Sequence, residues 1–165
     1  MIRFTKFLSM TLLAMLCLTA CGTTQHLAYD GPQRTASETA TLQGMKIGGQ
    51  YNWAAARIER IGEKKITADP FAKLEIIHAL TGKQQVDIVV EIAYQERRGS
   101  YQFDLLPGHA YEVRIVVDET MIPKQKLVLL SAELYDLTTL KQVQVLTDWG
   151  PIKNVDLGPT TIYMN

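Results

Sequence analysis

The sequence predicts a mainly β protein: a single small β-sandwich of the immunoglobulin or transthyretin type, with one short helix possible near residues 70–80. Three apolar runs carry that expectation. Val86, Ile88, Val90, Ile92 and Tyr94 point one way while Asp87 and Glu91 point the other, which is the period-two pattern of a half-buried strand. Tyr101, Phe103 and Leu105 alternate with Gln102 and Asp104, and Tyr111, Val113, Ile115 and Val117 alternate with Glu112 and Arg114. Arg97-Arg98-Gly99-Ser100 has the composition of a hairpin loop between the first two runs, and Pro107-Gly108 makes a turn before the third, so the three read as a meander.

A chain of 165 residues has room for one domain with a real core. Its 47% hydrophobic and 21% charged residues are ordinary globular composition. Loss of Arg3 and Lys6 with an N-terminal signal takes 17 basic residues to 15, against 17 acidic. That balance argues against nucleic acid as a partner, since phosphate binding requires a basic face.

The N-terminus is the most specific feature. Arg3 and Lys6 form a basic n-region, Phe7 to Leu16 an apolar h-region, and the run closes on Leu18-Thr19-Ala20-Cys21, the tripartite secretory pattern. The apolar stretch is shorter than the roughly 20 residues a spanning helix requires. Leu18 to Cys21 resembles the lipobox of bacterial lipoproteins, in which the cysteine sulfur receives a diacylglyceryl group and the chain is cleaved before it, here between Ala20 and Cys21. The resemblance implies residues 1–20 as a signal peptide and a diacylglycerol and N-acyl lipid on Cys21 as the one covalent addition, with no other cofactor. It also implies a cell-envelope location, with Gly22 in place of Asp permitting sorting to the outer membrane, facing the periplasm. Cys17 leaves with the signal, so no disulfide forms within the mature domain and no thiol remains for catalysis or metal binding.

Residues 21–41 are expected to be a lipidated tether, polar and aperiodic as far as Ser37, and 42–165 a single β-rich domain. Within the tether, Tyr29, Gly31, Pro32, Arg34, Glu38, Ala40 and Leu42 resemble a group of uncharacterised bacterial lipoproteins whose mature N-terminus reads Tyr-x-Gly-Pro-x-Arg-x-x-x-Glu-x-Ala-x-Leu. Thr35 stands where that group often has Pro. Leu106-Pro107-Gly108-His109 is similar to the group's later Leu-Pro-Gly-x segment. The resemblance covers about a fifth of the mature chain and implies fold and address without naming an activity.

The remaining elements follow in order. Arg57 to Ile66 reads as a strand, a turn at Gly62 and a return strand, which the same group implies; a helix capped by Asn52 is the alternative. Asp69-Pro70 before Phe71, Leu74, Ile77 and His78, closing at Gly82, has the cap, N1 proline and terminal glycine of a helix, although the same residues also suit a strand hairpinned onto Val86. Leu127 to Tyr135 and Leu140 to Thr147 flank Asp136-Leu137-Thr138-Thr139 as a second hairpin. Trp149-Gly150-Pro151 and Leu157-Gly158-Pro159 read as turns, with a last edge strand at Thr160 to Met164.

No catalytic motif emerges, and the expectation is a non-enzyme without a metal. His26 lies in the tether, and Glu75-Ile76-Ile77-His78 is one half of a motif that di-iron bundles use twice. Tyr29, Gly31, Pro32, Arg34, Glu38 and His109 are the candidate interaction residues, as a fixed turn beside an aromatic and a loop histidine. An accessory domain binding another envelope protein is the leading expectation. The alternative is a periplasmic small-ligand or glycan-binding module, with Trp53, Tyr135, Trp149 and Tyr163 as an aromatic platform.

Overall fold

The computed structural model describes residues 25–48, 53–67, 75–92, 95–117 and 129–154. In chain order its strands are β1 (Gln25–Leu27), β2 (Thr39–Gly44), β3 (Lys46–Gly48), β4 (Trp53–Ile61), β5 (Lys64–Lys65), β6 (Ile76–Leu80), β7 (Gly82–Ile92), β8 (Gln95–Leu105), β9 (Ala110–Val117), β10 (Leu129–Asp136), β11 (Lys141–Leu146) and β12 (Lys153–Asn154). They form two sheets packed face to face, a mainly β sandwich. One sheet has the order β1-β6-β2-β9-β10-β11; the other runs β12-β8-β7-β4-β3, with β5 paired to β4. Two pairings are parallel, β1 with β6 and β2 with β9.

The period-two runs become strands because alternate side chains enter the space between the sheets. Val86, Ile88 and Val90 of β7, Phe103 and Leu105 of β8, and Tyr111, Val113 and Ile115 of β9 meet Leu42, Ile58, Ala132, Leu134 and Leu146 in one buried cluster. Side chains of this size each contribute roughly 1.5–3 kcal/mol when fully buried. The strand, Gly turn and return strand expected over 57–66 form as β4 and β5, with Gly62 at φ 57° and its amide donating to Gln85. The Asp136–Thr139 hairpin also forms, between β10 and β11.

Several local readings change. Ile77 and His78 lie in β6 and Gly82 opens β7, so no helix spans 75–82; residues 68–74 lie outside the described residues. The spacing of Ile77 and Ala79 satisfies a strand equally well, and β6 is hydrogen-bonded between β1 and β2, a tertiary gain that local capping signals do not report. Nor is β6 hairpinned onto β7: the chain changes sheets through Thr81, with Gly82 at φ 87°.

Arg97 to Ser100 is strand and not loop, in a register with β7 that is unbroken from Ile92↔Gln95 to Gly82↔Leu105. A Cβ on Gly99 would fall 2.5 Å from the Tyr101 ring, so the glycine marks an aromatic lying over the strand and not a turn. The meander is split as well. Leu106-Pro107-Gly108 carries the chain from β8 in one sheet to β9 in the other, with Gly108 at φ 73°.

The tether is shorter than expected, since Gln25 to Leu27 pair with Ile76 to His78, Tyr29 is 8% exposed and β2 begins at Thr39. A register of alternating faces between β1, β6 and β2 absorbs a segment whose polar composition reads as linker. Residues 1–24, which include the signal, the cleavage point and Cys21, lie outside the described residues, as do Asn52, Leu157 to Pro159, Thr160 to Met164 and Tyr163.

The sandwich has two distinguishable ends. Thr39 pairs with Leu80, Gly82 with Leu105, Thr41 with Ala110 and Asp136 with Tyr111, which puts the β6–β7, β8–β9 and β10–β11 links at one end, the loop end. The other end, the base, holds Ile92, Gln95 and Val117, whereas Gln25 of β1 pairs with Ile76 level with Gln43 and Glu112, nearer the loop end.

Candidate functional site

All six interaction candidates assemble at or beside the loop end. After β1 the chain turns at Gly31, whose φ of 98° suits a residue without a Cβ. Tyr29 is buried beneath this turn, its hydroxyl accepting from the Arg34 amide at 3.1 Å, and the Arg34 guanidinium lies 5.6 Å from its ring centroid. Pro32 is exposed at the outside of the turn. Asp30 is tied to Lys64 of the β4–β5 turn at 2.7 Å, and the lysine holds that carboxyl below its ordinary value by hydrogen bond and by charge.

Glu38 closes the next turn. Its carboxylate accepts from the Thr35 hydroxyl at 2.9 Å and from the Thr35 amide at 3.3 Å, while its own amide donates to the Thr35 carbonyl. The carboxylate-to-amide half of a capping box is combined here with a backbone turn bond. The hydroxyl bond chiefly, then the amide bond, with Arg34 3.8 Å away, lower the Glu38 carboxyl from its usual range.

His109 and the hairpin beside it form the second half of the site. His109 Nδ1 lies 2.8 Å from Asp136 Oδ2, and the same carboxylate accepts from the Thr138 amide, the Thr139 amide and the Thr139 hydroxyl. Burial pushes the Asp136 carboxyl up, but the hydrogen bonds from His109, the Thr139 hydroxyl and the two amides outweigh it and hold the group at about 2. A carboxyl that acidic is a weak base at neutral pH, so its role is to brace the hairpin. The Thr138 hydroxyl accepts from the Ala110 amide, and the Leu106 amide donates to the Tyr111 hydroxyl. Gly108 and Thr41 amides bond the Thr39 and His109 carbonyls, which joins the 106–109 loop to β2.

Two large apolar side chains stand exposed on this braced frame. Leu140 at the hairpin tip is 70% exposed and sits at φ 57°, a left-handed conformation that a leucine adopts at an energetic cost. Leu106, 48% exposed, precedes Pro107 in the neighbouring loop.

Other sequence candidates disperse. Glu75 and His78 are three apart on extended backbone and face opposite sides, so they do not act as the Glu-x-x-His pair of a helix. His26 lies 3.5 Å from Glu75. Among the described residues no group of three or more His, Cys, Asp or Glu side chains converges as a metal site would require. Trp53 lies under Lys46 on one sheet, Tyr135 under Arg114 on the other, and Trp149 packs edge-on to Tyr101 against the core, so these three do not form one platform.

One feature escaped the sequence reading. The outer face of the β8-β7-β4 sheet carries a lattice of ion pairs: Arg57 with Glu91, Arg60 with Asp87 at 2.7 Å, and Arg98 with both Glu59 and Glu96. Glu59, Arg60, Asp87, Arg98 and Ser100 line a shallow open depression of about 400 Å³ there. The signal was present in the polar members of β4, β7 and β8, but which strands lie side by side is needed to pair them. Compared with models of protein families, with curated proteins and with solved structures, the chain matches none.

Proposed function

We propose that this chain is a lipid-anchored protein of the bacterial cell envelope whose β-sandwich binds another envelope protein through its loop end. The address rests on the signal pattern and the lipobox-like Leu18-Thr19-Ala20-Cys21. The observation that carries the binding role is Leu140: a large apolar side chain held in solvent, on strained backbone, by a hairpin whose base is locked by Asp136. Strained, exposed and braced residues concentrate at sites of recognition, where a fixed conformation lowers the entropy lost on binding.

Crosslinking in intact cells tests this. A photoreactive amino acid in place of Leu106 is expected to capture one envelope protein specifically from the lipidated chain and to lose it in a Cys21→Ser form. Recovery of no protein above background from the lipidated chain would refute the accessory role and favour a small-ligand or glycan-binding module, to be screened by thermal shift against envelope components.

A further inference from the structure

We infer that two copies of this chain associate through β11, the strand of one copy pairing antiparallel with that of the other so that two sheets join into one. β11 is the last strand of its sheet: it pairs with β10 on one side, and no strand among the described residues pairs with the other. An open edge is a row of backbone donors and acceptors that templates pairing, and proteins commonly blunt it with charge or proline. β11 reads Lys-Gln-Val-Gln-Val-Leu, and its one charge, Lys141, stands at the end of the strand. Val143 and Val145 are 49% and 47% exposed, and with Leu140 at the hairpin tip they are three of the six large apolar side chains exposed among the described residues. The Trp149 indole donates to the Leu146 carbonyl at 2.9 Å, which leaves Lys141 to Val145 as the open stretch.

The occupant that fits this edge is a second copy of it. A two-fold axis normal to the sheet makes the pairing antiparallel, and side chains keep to their own face of the joined sheet only when residues of like orientation stand opposite. Val145 is exposed on the outer face while Leu146 is buried on the inner, so an axis through Gln144 sets Val143 of each copy opposite Val145 of the other. Each exposed valine then gains a β-branched cross-strand neighbour, a favourable pairing. The charges match as well. Lys141 at the start of β11 and Asp148 just past its end are both exposed, and neither has an ion-pair partner among the described residues. The same register brings Lys141 of each copy to within about two residues of Asp148 of the other, the bulge at Val143 allowing for one of them, and keeps the two lysines at opposite ends. A foreign strand would satisfy the backbone of this edge, but only a copy of the strand meets both charges in one symmetric register.

The test places a photoreactive amino acid at Val143 of the full chain in intact cells. A crosslinked species of twice the chain's mass is expected, with the attachment mapped by mass spectrometry to the peptide that carries Val145. Lys141→Glu and Asp148→Lys reverse exposed charges, which leaves the fold intact, and equal thermal midpoints check this. Each alone turns two attractions into repulsions and should lower the yield of self-capture about tenfold, and the double variant, with the charges exchanged, should restore it. Capture of a different protein at position 143, attachment outside β11, or monomer alone would overturn the inference. So would self-capture that is indifferent to the single reversals, or that the double variant fails to restore. The outcome is independent of position 106: capture of nothing there, together with self-capture at 143, would refute the accessory role and leave the pairing of copies standing.

Discussion

At the scale of single residues, the loop end depends on one carboxylate. Asp136 is 6% exposed and takes four hydrogen bonds, from an imidazole, a hydroxyl and two amides. Asp136→Asn keeps the size but replaces one acceptor oxygen with a donor, and should destabilise the fold by about 1–3 kcal/mol at neutral pH. The sign of the pH dependence follows from the depressed pKa. The unfolded carboxyl titrates near 3.8 and the folded one at about 2, so its stabilisation is complete above the first value and is lost as pH falls through the second. Denaturant unfolding of both forms across that range should show their difference constant above pH 3.8 and shrinking below it; a difference that does not change would mean that the ionised carboxylate is not what braces the hairpin. Tyr101 is the opposite case. Its hydroxyl is buried and has no hydrogen-bond partner among the described residues, and burial pushes its pKa up to about 12. The ring stays for its packing on Phe103 and Trp149. Neither role was legible in the sequence, where Asp136 reads as a turn former and Tyr101 as one more alternating aromatic.

Among the elements, the β10–β11 hairpin combines legibility with a surprise. Its position was visible from two apolar runs around Asp136-Leu137-Thr138-Thr139. That the left-handed residue would be Leu140, where glycine or asparagine is the usual choice, was not. Leu140→Gly should relieve the strain and raise stability by about 1 kcal/mol, after the greater freedom of glycine in the unfolded chain is set against it. The same substitution should lower crosslinking through position 106. A variant that is more stable and still captures the partner at full yield would separate Leu140 from recognition. The other elements differ in how local their causes are. β7 and β9 declare themselves by alternation, whereas β6 and the first half of β8 carry helix-cap and loop signals that lose to pairing on both flanks.

At the scale of the molecule, what organises the sandwich is the set of places where the chain changes sheets. Besides the links at Thr81 and Leu106 to Gly108, β2 passes to β3 through Gly44 and Met45, and there the backbones of the two sheets nearly touch: the Ala56 amide donates to the Met45 carbonyl at 2.8 Å. A Cβ on Gly44 would sit deep inside the van der Waals radius of the Ala56 carbonyl oxygen, which as backbone cannot swing aside. Gly44→Ala should therefore cost about 3 kcal/mol or more, well beyond the ~1 kcal/mol of an ordinary substitution, read as a lower urea midpoint. An unchanged midpoint would mean that the sheets are free to slide apart locally. The two-ended arrangement is also a property of this scale, with the braced β6–β7, β8–β9 and β10–β11 links gathered at one end.

What the sequence determined by itself was whatever depends on near neighbours: the β class from period-two runs, the Gly62 turn and the second hairpin. The tertiary structure alone decided which strands share a sheet, that Gln25 to Leu27 belong to the domain, that Arg98 and Glu59 meet, and that Tyr29, Arg34, Glu38 and His109 gather toward one end. The physical reason is that alternation specifies which face of a strand is buried but not which neighbour it pairs with. A hydrogen-bonded edge accepts almost any partner, and the choice falls to the packing of side chains far apart in the chain.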